Sequence, residues 1–333
     1  MAIDWLPKWP YYAGIALEGS GTQWDDSPTL PTQPDFIVPL LTDTVRGGKL
    51  LIPYDFAQNS PYNGPPATVD DFVQGQLRFR VPPENTTELE TIMEWLFKHN
   101  DLADPPVFHK LPAISIWGLG ENTMMQKVIR SAVCTSATIE SAHTADESRW
   151  LTVTANVVAH DDNETVGAIT WGGTEWDWAY QEPIAMDSAF QFLTGATGTD
   201  DYGEDITTVS LEIDKGIDTE SLRRGDTIGD PRGFGVWSGR SSVGVQPGAV
   251  VTQSVVEAWF DSHWGAALRW GAGATPPLKI TFGGASWQTS EKPTYDNDRQ
   301  NHTTPFAAEG DLHASTHGAL DLIQVEVAGT RVA

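Results

Sequence analysis

One stretch constrains the fold more than any other. From Val133 to His160 the chain reads VCTSATIESAHTADESRWLTVTANVVAH. Val133, Ala137 and Ile139 share one parity, and Ser136, Thr138 and Glu140 share the other. After a polar run containing His143, Asp146, Glu147 and Ser148, Leu151, Val153, Ala155 and Val157 alternate with Thr152, Thr154 and Asn156. A period of two is the repeat of a strand, so each segment presents one apolar and one polar face. The polar run reads as a turn, and the two strands are expected to pair antiparallel in a half-buried sheet.

The rest of the first half fits around that hairpin. QGQLRFRV alternates Leu77, Phe79 and Val81 against Gln76, Arg78 and Arg80 and stops at Pro82 and Pro83. ENTTELETIMEWLFKHN then places Leu89, Ile92, Met93, Leu96 and Phe97 at helical spacing, with Thr87 and Glu90 positioned as a capping box. LPAISIWGLG supplies a further strand, and the first unit closes near Asp162.

The second half uses the same ingredients. TTVSLEID alternates Val209, Leu211 and Ile213 with polar residues, and VVTQSVVEAWF reads as a strand entering a short helix at Asp261, on which Trp264, Ala267 and Leu268 share a face. LKITFGG and LIQVEVAG, with Ile323, Val325 and Val327, follow as strands. The expected fold is therefore mainly β, a β-sandwich or barrel with a flanking α-helix in each of two tandem units. These units are residues 1–165 and 187–333, joined by a linking strand or connector at 166–186. Two polar stretches rich in Pro, Asn and Asp, 42–69 and 286–312, read as long loops, and loops of such length are usually functional or ordered by a neighbour.

A chain of 333 residues is long enough for two cores, and 31 Gly with 22 Pro suit short strands and many turns. Its 20 Lys and Arg against 45 Asp and Glu leave a net charge of -25, which repels nucleic-acid backbones and anionic membranes. Asp4, Pro7 and Pro10 interrupt the apolar run a signal peptide needs, and no stretch is apolar enough to span a bilayer, so folding in a cytoplasm is expected. The single cysteine, Cys134, excludes an internal disulfide and reads as a small core residue.

Arrangements that carry out chemistry are not apparent. No phosphate loop, GxGxxG or GxSxG motif occurs. His313 and His317 have metal-ligand spacing only on a helix, and the DNDRQN stretch with Asp296 and Asp298 lacks the Gly and closing Glu of a calcium loop. No catalytic, cofactor-binding or metal residue is assigned, no cofactor is expected, and the chain does not read as an enzyme. The 14 tryptophans include a cluster, Trp171, Trp176 and Trp178 with Tyr180, beside Glu175, Asp177 and Glu182. Aromatic platforms next to carboxylates suit a carbohydrate-binding β-sandwich, although a period-two aromatic face more often packs on a core or a neighbouring subunit.

The order of segments resembles the major tail tube proteins of tailed bacteriophages of the siphovirus type. YAGIALEGSGTQWDDSPTLPTQPDFIVPLLTDTV is similar to the family's opening run, with Gly14, Glu18, Gly21, Thr22, Phe36, Val38 and Pro39 at the matching positions. VQGQLRFRV, the helix, PAISIWG and the hairpin resemble the run that follows. VSLEIDKGID resembles the strand that opens the second half of longer members. The likeness extends from Tyr12 to about Phe282 and lies in pattern and order.

The resemblance implies a structural virion protein of two tandem tail-tube-like units. Such chains form trimeric rings of pseudo-sixfold symmetry that stack head-to-tail into a hollow tube in the virion tail, assembled in the host cytoplasm. Implied partners are further copies of the chain, a tape measure protein, and the tail terminator and baseplate proteins. Double-stranded DNA would pass through the channel without sticking, and the negative balance implies an acidic lumen face. The loops 42–69 and 286–312 become candidates for contacts between rings or subunits. The alternatives are the carbohydrate-binding reading and another tail component, such as a terminator or baseplate hub, which would stop at one ring.

Overall fold

The computed structural model describes residues 12–18, 30–45, 49–52, 67–70, 73–81, 86–97, 112–119, 126–165, 183–186, 189, 191–194, 200–201, 206–215, 223–224, 227–228, 237–245, 266–271, 273–282, 286–287, 302–310 and 323–332. In the first half the strands are β1 (Tyr12–Glu18), β2 (Phe36–Asp43), β3 (Lys49–Ile52), β4 (Ala67–Asp70), β5 (Val73–Arg80), β6 (Ala113–Leu119), β7 (Gln126–Ala142), β8 (Thr152–Ala159) and β9 (Asp161–Thr165). The helix α1 (Thr86–Phe97) lies between β5 and β6. Then come β10 (Gln191–Thr194), β11 (Asp200–Asp201), β12 (Ile206–Asp214), β13 (Arg223–Arg224), β14 (Thr227–Ile228) and β15 (Trp237–Val245). The chain continues with β16 (Ala266–Trp270), β17 (Leu278–Phe282), β18 (Ser286–Trp287), β19 (His302–Gly310), β20 (Ile323–Val327) and β21 (Thr330–Arg331). The fold is mainly β, as the alternation predicts.

Pairing of the first-half strands closes on itself. β1 pairs with β2, β2 with β5, β5 with β8, β8 with β7, β7 with β6, and β6 again with β1, all antiparallel. Closure encloses the alternating apolar residues. β7 makes this possible by serving twice. Its N-terminal part lies between β6 and β9, and its C-terminal part lies between β8 and β12. Through β12 the sheet continues to β15, β19 and β18, eleven strands in all.

The first-half pairings recur in the second. β1 with β2, β1 with β6, β6 with β7 and β7 with β9 are matched by β10 with β11, β10 with β16, β16 with β17 and β17 with β20. β2 with β5, β5 with β8 and β8 with β7 are matched by β12 with β15, β15 with β19 and β19 with β18. The first four of these second-half pairings lie in a separate six-stranded sheet and the other three in the eleven-stranded sheet.

One apolar cluster serves both halves. Leu89, Ile92, Met93, Trp95 and Leu96 of α1 are buried with Leu77 and Phe79 of the barrel and with Val209, Leu211, Ile213, Leu268, Ile280, Val325 and Val327 of the second half. α1 packs against β7 on one side and β20 on the other. Residues 183–186, the end of the expected connector, are anchored to the barrel. The Ile184 N–H donates to Val81 O, Ile184 O accepts from Leu151 N–H, and Ala185 bridges Trp150.

Several expectations change. Val133 does not share a face with Ala137, because a bulge between Cys134 and Ser136 reverses the parity: Cys134 joins the main core while Val133 packs with Ala113. Thr87 is already helical, since α1 begins at Thr86, and its carbonyl accepts from Thr91 Oγ1. Ala267 and Leu268 lie on a strand where a helix was expected, because β10 and β17 offer partners on both sides and Gly271, at φ 92, turns the chain back towards β17. Trp264 and Asp261 lie outside the described residues.

The stretch 286–312 is not simply a loop. It holds β18 and β19, and β19 runs opposite β15 for its full nine residues. Pro305 and the polar residues before it obscure that strand in the sequence. Within 42–69, β3 and most of β4 form a hairpin.

Candidate assembly interface

The sheet that runs through both halves carries its polar residues in register. Arg78, Thr154, Thr138 and Glu212 stand opposite one another across β5, β8, β7 and β12. Gln76, Asn156, Ser136 and Asp214 make a second row, and Arg80, Thr152, Glu140 and Ser210 a third. The intervening rows, Leu77–Ala155–Ala137–Ile213 and Phe79–Val153–Ile139–Leu211, are buried in the core. Strand alternation thus builds one polar face that crosses the midpoint of the chain without a break. Side chains link the strands along the second row. Gln76 Nε2 donates to Asn156 Oδ1 at 3.4 Å, and Asn156 Nδ2 donates to Ser136 Oγ at 2.8 Å.

This face does not concentrate the chain's negative charge. Arg78 and Arg80 stand against Glu140, Glu212 and Asp214, and the remaining positions in the three rows are hydroxyls and amides. Two arginines against three carboxylates leave the three rows net acidic by a single charge. Period-two alternation selects polarity on the wet face, and Ser, Thr, Asn and Gln meet that requirement as well as carboxylates do.

The place where the halves join is the bend of β7. Ser131 has φ 52, in the left-handed region, and the bulge follows at Cys134. Buried Glu18, at the end of β1, accepts from Ser131 N–H at 2.7 Å, Ser131 Oγ at 2.5 Å and Ser115 Oγ at 2.6 Å. Arg130 Nη1 donates to Pro31 O and to Ser115 Oγ, and its guanidinium lies over the Trp117 ring. From the core side, Trp95 Nε1 donates to Ala132 O at 2.9 Å.

Lys215, just after β12, completes the joint. Its backbone N–H donates to Thr135 O, and its buried Nζ donates to Trp95 O at 2.7 Å. α1 has no basic residue in its last turn, so this lysine brings positive charge to the negative end of the helix. Burial lowers its pKa to about 8, with the nearby Cys134 opposing the shift. Burial pushes the Cys134 thiol up to about 11, with Lys215 pulling it back. Cys134 is a buried core residue, as its strand context implies.

At the other end of the sheet, β2 uses Phe36–Pro39 to pair with β1, and Leu40–Thr42 lie beside β5 with no strand paired on their other side among the described residues. Leu41 is the extra residue of a bulge there, and at 40% exposure it is the exposed large hydrophobic among the described residues. The matching second-half strand, β12, has β15 on one side and β7 on the other.

Among the described residues, no group of three or more His, Cys, Asp or Glu side chains is placed to hold a metal ion, and no helix is long and apolar enough to cross a membrane. His313, His317, Asp296, Asp298 and the cluster from Trp171 to Glu182 lie outside the described residues, as do Gly21 and Thr22. Of the residues carrying the family likeness, Phe36 and Val38 enter the core and Glu18 enters the joint. Sequence reasoning did not single out Ser131, Trp95 or Lys215. The available signal was a lysine directly after an alternating strand in a chain poor in lysine. No protein-family model and no curated protein sequence matches the chain.

Proposed function

We propose that the chain is a structural virion protein, a siphovirus-type tail tube protein that polymerises into stacked rings around a channel for viral DNA. The observation that carries this reading is the recurrence of the strand pairings, together with the way the halves meet. In this reading residues 1–165 and 187–333 are tandem units of one kind. The first passes the C-terminal edge of β7 to β12 of the second. β18 occupies the place of that edge in the second unit. In the next copy, Leu40–Thr42 of β2 occupy the place of β12, with no strand paired on their other side among the described residues. Joining these edges is a heterologous contact, which closes into a ring when the rotation allows.

The family resemblance supplies the remaining detail: trimeric pseudo-hexameric rings, stacking into a tube, and tape measure, terminator and baseplate proteins as partners. The polar rows of the continuous sheet then line the lumen. Hydroxyls, amides and nearly balanced charges give a duplex few cationic contacts, which suits passage without retention.

The test acts on the β2 edge. Leu41 is unpaired with β5 because it is the extra bulge residue, and proline is tolerated at bulges while removing an edge donor. Leu41→Pro should remain folded by circular dichroism yet sediment as a monomer at concentrations where the parent chain forms large assemblies. Assembly equal to that of the parent would count against the edge contact.

A further inference from the structure

β7 must do two incompatible things: close a barrel with β6 and lend its other end to β12. The bend that reconciles them is centred on a serine in a conformation that L-residues with a Cβ seldom adopt. Three hydrogen bonds to one carboxylate surround that residue, two of them from Ser131 itself, through its N–H and its hydroxyl. Glu18 is 3% exposed and Ser131 is fully buried, so water does not substitute for either partner.

We propose that Glu18 is the positioning residue of this bend: its carboxylate holds Ser131 left-handed and so sets the line along which β7 leaves the barrel and receives β12. The inference stands on contacts within one chain and is independent of what the chain assembles into. The geometry separates this role from simple filling of space. A filler would need only volume, whereas the two carboxylate oxygens divide the Ser131 N–H and Oγ–H between them. Arg130, the residue before Ser131, donates to Pro31 O and to the same Ser115 Oγ that donates to Glu18, and Trp95 Nε1 donates to Ala132 O just after it, so the bend is held on both sides of its left-handed residue.

Glycine adopts positive φ without the Cβ penalty, which gives a test by coupling. Amide hydrogen exchange is measured on the full chain for the parent, Glu18→Gln, Glu18→Leu, Ser131→Gly and the Glu18→Leu/Ser131→Gly double variant. Glu18→Gln, which retains an acceptor for the Ser131 N–H, should stay within about threefold of the parent. Glu18→Leu should speed exchange at least tenfold in 131–142 and 206–214 while the β5–β8 ladder keeps its protection, and Ser131→Gly should remove most of that increase. Additive effects of the two changes, or uniform loss of protection across all strands, would overturn the proposal. If Glu18→Leu does not fold, recovery of folding in the double variant supports the assignment and failure to recover overturns it.

Discussion

Lys215 is held without water around its ammonium, and its pH dependence can be worked out. Its pKa is 10.5 in an exposed setting and about 8 in the fold. As pH falls from 10.5 to 8, the unfolded chain takes up this proton before the folded chain does, so stability drops, by about 3 kcal/mol over the whole interval. Cys134 acts in the opposite sense. Its thiol ionises near 9.0 when exposed and near 11 in the fold, so stability drops as pH rises from 9 to 11. Between pH 8 and 9 the lysine effect is the larger of the two, because an exposed thiol is only half ionised by pH 9. Urea unfolding should show the parent gaining about 1 kcal/mol over that unit, and Lys215→Met should gain none; a flat parent profile would contradict the assignment. The burial of Cys134 was legible in its strand, whereas that of Lys215 was not, because it depends on α1, which lies more than a hundred residues earlier.

Strands were the most legible elements, because burial of one face leaves a period-two record. β5, β8 and β12 follow their apolar residues into the core as read. Two departures have physical causes. The bulge in β7 inserts one residue and reverses the parity at Val133, and a bulge has no signature in the alternation until its partner strand is known. β19 was hidden because Pro305 and its polar neighbours read as turn residues. Close approach between elements was likewise invisible. A Cβ on Gly75 of β5 would lie 2.5 Å from Val45 Cα and 2.6 Å from Thr44 O, both backbone atoms that cannot rotate away. Gly75→Ala should cost about 1–3 kcal/mol by overpacking. Thermal unfolding would measure it, and a neutral result would mean that the segment after β2 yields freely.

For the whole molecule, the order of segments could be read from the chain, whereas the closure of the barrel and the sharing of β7 between halves could not. Alternation tells which face of a strand is buried but not which strand lies beside it. The order of several strand pairings recurs between the halves although their sequences differ, since pairing depends on backbone register and not on side-chain identity. Under the proposed assembly the β2 edge is the one to test, because the edge of β12 is already paired with β7 within the chain. The most direct measurement is electron microscopy of the purified chain at rising concentration, with averaging along any filaments that form. Hollow filaments, whose rings join copies through a sheet continuous across the β2 edge, are the predicted result. Monomers at every concentration, or filaments in which that edge faces solvent, would contradict the account.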